Sequence, residues 1–117
     1  MLLGRELLFA SRLADMAQRA GATFLRVEDP SQLPEPASVG VILVDWGDRA
    51  PGWADALQKW FGPDPGRWRM RVMAFGPHTD LEAHREAQAA GIGPMIARSR
   101  VIRALSEELA SSRSPGP

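Results

Sequence analysis

The side chains best placed for chemistry follow the apolar stretches of this 117-residue chain. Asp45 comes directly after the run VILV, and Glu6, His78 and Arg98 follow three other stretches rich in strand-forming residues. The carboxyl ends of parallel strands meet at one edge of an open sheet, and ligands bind in the crevice beyond that edge. These positions therefore predict a binding crevice with Asp45 at its centre. The alternative is that Asp45 only caps the turn that follows it.

Other arrangements of reactive residues are weaker. His78, Asp80 and His84 do not have the spacing of a helical pair of metal ligands, so we expect no metal site there. The glycines of Gly91-Ile92-Gly93 lack the strand before them and the helix after them that a dinucleotide-binding loop requires. The sequence contains neither a G-x-S-x-G nor a Walker motif, and it has no cysteine. We therefore expect a protein that is not an enzyme.

Composition and charge exclude further classes of protein and partner. Lys and Arg total 14 and Asp and Glu total 14, so the formal net charge is zero and no nucleic-acid partner is expected. The first 20 residues mix apolar groups with charges and form neither a signal-peptide core nor a membrane span. We expect a cytoplasmic protein with no membrane partner. One domain over residues 1–110 and a disordered tail over 111–117 are predicted.

Short apolar runs alternate with helical patterns along the chain. Strands are predicted at 1–3, 23–27, 39–44, 71–75 and 94–97. Helices are predicted at 7–20, 53–61, 79–90 and 99–110, the first and third ending at Gly21 and Gly91. The third would open with a capping box from Thr79 to Glu82.

This alternation predicts a three-layer α/β fold, a five-stranded parallel sheet with helices on both faces. The second crossover is short and carries three prolines. Asp29 and Pro30 are a good start for a helix, but Pro34 stops it after about one turn. The second helix is therefore expected to be vestigial.

The order of these segments resembles the receiver domain of bacterial two-component response regulators, over residues 1 to about 110. Asp45 falls where that family has its phosphoacceptor aspartate, and Arg5 and Glu6 fall on its acidic pair, which holds Mg²⁺. The stretch from Ala90-Gly91 to Ala97 is similar to the one before its lysine, which places Arg98 at the lysine position. The resemblance implies a flavodoxin-like, doubly wound sheet of order 2-1-3-4-5.

Three positions depart from the family pattern. Arg5 replaces an acid, Gly76 replaces the switch hydroxyl, and Arg98 replaces the lysine. Only Glu6 and Asp45 remain as carboxylate ligands, so Mg²⁺ binding should be weak, if present at all, and no other cofactor is expected. Arg98 is expected to contact Asp45 and neutralise it.

These departures resemble the pseudo-receivers, which keep the fold and act through protein contacts. The resemblance implies a partner-binding face on the last two helices and the fifth strand, with the residues His84, Arg85, Gln88, Arg100 and Arg103. The alternative for these residues is an ordinary solvated surface. Trp46, directly after Asp45, could shield the crevice, contact a partner or cover the end of the sheet.

We therefore expect an atypical receiver-like signalling module that stands alone and binds another signalling protein or a second copy of itself. Two alternatives stay open. The first is a phospho-accepting response regulator that uses Asp45 with weak Mg²⁺ binding. The second is a small-molecule-binding domain of flavodoxin-like shape.

Overall fold

The computed structural model describes residues 1–63 and 70–113. Within these residues, five strands alternate with four α-helices, except that no α-helix separates the second strand from the third. The strands are β1 Leu2–Leu3, β2 Arg26–Val27, β3 Val41–Asp45, β4 Arg71–Phe75 and β5 Met95–Ile96. The helices are α1 Leu7–Arg19, α2 Trp53–Phe61, α3 Leu81–Ala89 and α4 Arg98–Arg113.

All strands are parallel and lie in the order β2-β1-β3-β4-β5. This confirms the predicted flavodoxin-like sheet. The order reverses between β1 and β3, where Leu3 pairs with Val44. In an open α/β sheet this reversal opens a crevice at the carboxyl ends of the two strands. Asp45, the last residue of β3, pairs with Phe75 of β4 beside that opening.

Two apolar cores cover the two faces of the sheet, as the unbroken run VILV requires. On one face, Ile42 and Val44 belong to a cluster with Trp53 and Leu57 of α2 and with Ala83 and Ala87 of α3. On the other face, Leu43 and Phe75 belong to a cluster with residues of α1 and α4. Successive residues of a strand point to opposite faces, so Asp45 follows Leu43 toward the α1 and α4 side.

The second crossover holds two short 3₁₀ turns, Pro30–Gln32 and Pro36–Ser38, in place of a helix. This confirms the vestigial helix. The Asp29 carboxylate accepts a hydrogen bond from the Ser31 backbone N–H at 2.8 Å. The crossover is tied to α2 by the indole of Trp60, whose Nε1 donates to the Pro34 carbonyl at 2.7 Å.

Several boundaries differ from the sequence prediction. Strand β2 covers only Arg26–Val27 of the predicted 23–27. The cap of α3 is Asp80, whose carboxylate accepts from the Ala83 N–H at 3.0 Å, so the capping box predicted at Thr79 was wrong. Helix α4 continues to Arg113, so 111–113 are helical and do not belong to a tail. The rest of the predicted tail, 114–117, lies outside the described residues.

Gly21 and Gly91, which follow α1 and α3, have φ of 74° and 76°. These left-handed values are the reason why glycine ends both helices, as predicted. Within the described ranges, no helix combines the length and the apolar character needed to cross a bilayer.

Candidate functional site

A crevice of about 670 Å³ opens at the carboxyl end of the sheet. Its walls come from the ends of β3, β4 and β5, from Glu6 just before α1 and from the first residues of α4. Glu6, Asp45, Gly76, His78 and Arg98 line it, five of the residues that the sequence analysis assigned to this site. They meet because each follows, or closes, one strand of a parallel sheet.

Asp45 lies at the bottom of the crevice and is only 5 % exposed. It is the one buried charged residue in the described part of the chain. Gly4, just after β1, makes room for it: a Cβ on Gly4 would lie 3.0 Å from the Asp45 Cβ. The absence of a side chain at Gly4 therefore lets β3 carry its carboxylate against the end of β1.

The Arg98 guanidinium lies between two carboxylates. Its Nη2 donates to Asp45 Oδ2 at 3.4 Å, and its Nη1 forms an ion pair with Glu6 Oε2. The predicted contact between Arg98 and Asp45 is therefore confirmed. Glu6 directly precedes α1 and Arg98 begins α4, so one side chain links the starts of two helices to the end of β3.

Two aromatic rings hold the guanidinium in place. The Arg98 Cζ lies 4.9 Å from the ring centre of Phe9 and 5.8 Å from that of Phe75. The two rings contact each other edge to face at 5.2 Å. A cation over aromatic faces is attracted by their negative surfaces, so the rings support the same position as the carboxylates do.

Burial raises the pKa of the Asp45 carboxyl above its ordinary value. The positive charge of Arg98 opposes this rise, whereas the negative charges of Asp48 and Glu6 add to it. Desolvation penalises the charged form of a carboxyl group, and here a single ion pair does not fully compensate for it. Arg98 therefore favours the charged form of Asp45 against the cost of burial.

Arg5 lies outside the crevice, which corrects its predicted place in the lining. Its Nε and Nη2 donate to the two carboxylate oxygens of Asp48, both at 3.1 Å, and Nη2 also reaches the Asp48 carbonyl at 3.3 Å. Asp48 itself lines the crevice, and the sequence analysis missed it. Asp48 follows Asp45 by three residues, and the 3₁₀ turn Trp46–Asp48 returns it to the end of the sheet.

Trp46 also does not line the crevice. It points to the opposite face from Asp45, is 1 % exposed and donates from Nε1 to the Ala83 carbonyl of α3 at 2.9 Å. The Arg49 guanidinium lies 5.1 Å from the centre of its ring and forms an ion pair with Glu86. Of the three roles considered for Trp46, the structure supports the covering of the sheet end.

Gly76 packs against backbone where the resembled family has a hydroxyl. A Cβ on Gly76 would lie 2.9 Å from the sulphur of Met95 and 3.0 Å from the backbone N of Gly47. Gly47 is equally constrained, since its own Cβ would lie 2.7 Å from Pro77 Cδ. The two chain segments approach so closely that a Cβ at either position would force a neighbouring group to shift.

His78 lies at the exposed rim of the crevice. The His78 carbonyl accepts a hydrogen bond from Nε2 of His84 at 3.1 Å, which joins the rim to α3. The described ranges contain no group of three histidine or carboxylate side chains arranged to hold a metal ion. Glu6, Asp45 and Asp48 each have an arginine partner, so their oxygens do not fit the resident Mg²⁺ that the resemblance implies.

The predicted partner-binding residues lie on two helices. His84, Arg85 and Gln88 are on α3, and Arg100 and Arg103 are on α4. Strand β5 is the last strand of the sheet, and α3 and α4 flank it from opposite faces. Four of the five are exposed and His84 is half-buried; Arg103 forms an ion pair with Glu107 one turn further on.

The fold and this crevice define a flavodoxin-like α/β protein with an arginine-neutralised carboxylate at its sheet switch point. Comparisons with protein-family models, with curated proteins and with solved structures find no match to this chain.

Proposed function

We propose that this protein is a receiver-like signalling module that acts through protein contacts and does not undergo efficient phosphorylation on Asp45. The observation that carries the proposal is the fork of Arg98 between Asp45 and Glu6. Phosphoryl transfer to a carboxylate needs a free oxygen as nucleophile and a cation for the oxygens of the incoming group. Here one oxygen of each carboxylate, Asp45 Oδ2 and Glu6 Oε2, is already paired with the same guanidinium.

The surroundings of Asp45 also support the proposal that this residue is not phosphorylated efficiently. The carboxylate is nearly excluded from solvent, and burial raises its pKa, which lowers the fraction that is ionised and nucleophilic. No hydroxyl can follow a phosphoryl oxygen from position 76, because the space next to Gly76 is filled by Met95 and Gly47. A signalling mechanism that depends on the movement of a hydroxyl side chain at position 76 therefore cannot operate here.

The surface proposed for partner contact is the edge formed by α3, β5 and α4. Arg85, Arg100 and Arg103 lie there beside Glu82, Glu86 and Glu107, so the surface carries charges of both signs, and Leu81 at the start of α3 is 66 % exposed. Arginine is enriched in protein interfaces, and an exposed leucine adds apolar area to this surface. The partner would be another signalling protein or a second copy of this chain.

The phosphorylation part of the proposal is tested with a small phosphodonor and Mg²⁺. Intact-mass measurement should find no phosphoryl adduct on the wild-type protein under conditions that label a competent receiver. A second arm titrates beryllium fluoride with Mg²⁺ and records tryptophan fluorescence and amide NMR spectra. An adduct or a saturable spectral change that is lost in Asp45→Ala would contradict the proposal and support a phospho-accepting regulator.

The contact part is tested by site-specific photo-crosslinking in the native cell. A photoreactive residue at Gln88 or Arg100 should give a discrete adduct, whereas the same residue at Gln18, an exposed position on α1, should not. The adduct at Gln88 should be lost when Arg100 and Arg103 are both changed to Glu. Sedimentation of the purified protein decides whether the adduct is a homodimer. Equal labelling at Gln18 would contradict a specific surface.

A second candidate function, small-molecule binding, is favoured by one observation. A cavity of about 580 Å³ lies at the amino end of the sheet, lined mainly by apolar side chains such as Leu13, Phe24 and Leu105. Its size falls within the range of small-molecule sites. A ligand that copurifies with the protein and is displaced by Leu105→Trp would support this function, and a ligand-free protein would count against it.

A further inference from the structure

We propose that Arg98 is the resident cation of the Asp45 crevice: its guanidinium fills the place between Glu6 and Asp45, and a neutral residue at position 98 opens a divalent-cation site there. This inference rests on the proposed function, because it concerns the same crevice. It makes the crevice of the natural protein insensitive to Mg²⁺.

The first argument is that two nitrogens of the Arg98 guanidinium contact two different carboxylates. Nη1 pairs with Glu6 Oε2 while Nη2 pairs with Asp45 Oδ2 at 3.4 Å, so the group bridges two carboxylates from different elements. Mg²⁺ is usually bound through one or two carboxylates together with water. The arginine and the free ion would therefore compete for the same two oxygens.

The second argument is the charge that the fold leaves at this point. Asp45 is buried, and the negative charges of Glu6 and Asp48 disfavour its ionisation further. Arg5 balances Asp48 at the rim, but Arg98 alone contacts both Glu6 and Asp45 among the described side chains. Without it, the two facing carboxylates need either a proton or another cation.

The third argument is that Arg98 is held in position before any ion arrives. Its guanidinium lies over Phe9 and Phe75, and its backbone begins α4 directly after β5. A tethered group competes with an effective concentration of about millimolar or higher. Free Mg²⁺ must displace this tethered charge and also lose part of its own hydration shell.

The test is a titration of the full chain with MgCl₂ alone, at constant ionic strength. Calorimetry measures the binding, and the thermal midpoint of unfolding is recorded at each Mg²⁺ concentration. Arg98→Gln removes the charge, and Arg98→Met removes the charge while keeping an apolar stem against Phe9. Both should bind Mg²⁺ on the order of tenfold or more tightly than the wild type, because one positive charge beside the ligands has gone. Addition of Asp45→Asn to either variant should abolish the gain.

A matched control keeps Arg98 in place. Arg100→Gln removes an exposed arginine two residues further along α4. It should not gain Mg²⁺ binding. A gain in Arg100→Gln equal to that in Arg98→Gln would overturn the proposal, because the effect would then be one of overall charge.

The wild-type titration needs no substitution and decides the matter even if a variant fails to fold. Saturable Mg²⁺ binding to the wild type that Asp45→Asn abolishes would overturn the inference. So would folded Arg98→Gln or Arg98→Met that binds no more Mg²⁺ than the wild type. Either result leaves the proposed function standing, which fails instead if a phosphoryl group is transferred to Asp45.

Discussion

Arg98 and Asp45 are 53 residues apart in the chain, and their side chains meet at 3.4 Å at the carboxyl end of the sheet. The carboxylate is almost fully buried, whereas the arginine side chain is 46 % exposed. The pair is therefore asymmetric: Asp45 is desolvated and Arg98 favours its charged form, whereas Arg98 itself retains contact with water. The following predictions test what this relationship and its surroundings contribute.

Removal of the arginine should destabilise the protein. Arg98→Ala leaves Asp45 and Glu6 without a counter-charge, and we expect the free energy of unfolding to fall by about 1 to 2 kcal/mol. The value is placed below that of a fully buried pair, because half of the arginine side chain is in water and its charge is screened. Urea unfolding measures it. Arg100→Ala, on the same helix, should change the stability by less than about 0.5 kcal/mol, and an equal loss in both variants would contradict the assigned role.

The free energy of unfolding should depend on pH through the protonation of Asp45. Its pKa is raised in the fold above the ordinary 3.8, so the protonated form is favoured and its stabilising contribution is fully present below the unfolded pKa. That contribution is lost as the pH rises through the folded pKa. The Asp45→Asn variant has no carboxyl group to ionise at this position. Its free energy of unfolding, compared with that of the wild type, should therefore increase from acidic to neutral pH.

Urea unfolding of both proteins across this pH range checks the sign. Asp15→Asn is the matched control, since Asp15 is an exposed carboxylate paired with Arg19 one turn further along α1. The difference between the wild type and Asp45→Asn should vary with pH in the stated direction. A difference that moves the opposite way would mean that Arg98 outweighs the cost of burial.

A side chain at position 76 should not be tolerated. Gly76→Ala places a Cβ 2.9 Å from the Met95 sulphur and 3.0 Å from the Gly47 backbone. We expect a loss of about 1 to 3 kcal/mol, because backbone cannot yield as a flexible side chain does. Gly40→Ala is the control, since nothing lies within 4 Å of its Cβ position. Thermal unfolding of the two variants should separate them clearly, and similar midpoints would contradict the close approach of the two segments.

The indole of Trp46 should contribute more to stability than that of Trp53. Both are buried, but Trp46 Nε1 donates to Ala83 O at 2.9 Å, whereas Trp53 Nε1 has no hydrogen-bond partner within the described part of the chain. Trp46→Phe removes this hydrogen bond, whereas Trp53→Phe removes none, so Trp46→Phe should cost about 1 kcal/mol more than Trp53→Phe. Chemical unfolding of the two variants measures this difference. A larger loss for Trp53→Phe would show that ring volume, and not the hydrogen bond, dominates.

Some features of the fold follow from the sequence because they depend on local pattern. The unbroken run VILV indicates a strand covered on both faces, and RVMAF, after the second long helix, indicates the next one. Prolines 30, 34 and 36 exclude a long second helix whatever surrounds them. The meeting of Asp45 and Arg98 also followed from the sequence, since both are placed at strand ends of a parallel sheet.

The partner of Arg5 could not be read from the sequence. Arg5 was expected beside Glu6 and Asp45, but the 3₁₀ turn after β3 brings Asp48 within its reach instead. The start of α3 was similarly ambiguous, because Thr79 and Asp80 are both good capping residues and only the geometry of the preceding turn selects Asp80.

By itself, the sequence predicted the alternation of strands and helices, the parallel sheet and the meeting of Asp45 and Arg98 at its carboxyl end. Only the tertiary structure decided that Asp48 lines the same crevice, that Arg5 pairs with Asp48 at the rim and that Trp46 turns to α3. The physical reason is that periodicity places residues along an element, whereas the pairing of charges depends on distances of a few ångströms between elements. Those distances arise from the crossovers, the turn after β3 and the close packing of Gly47 against Gly76.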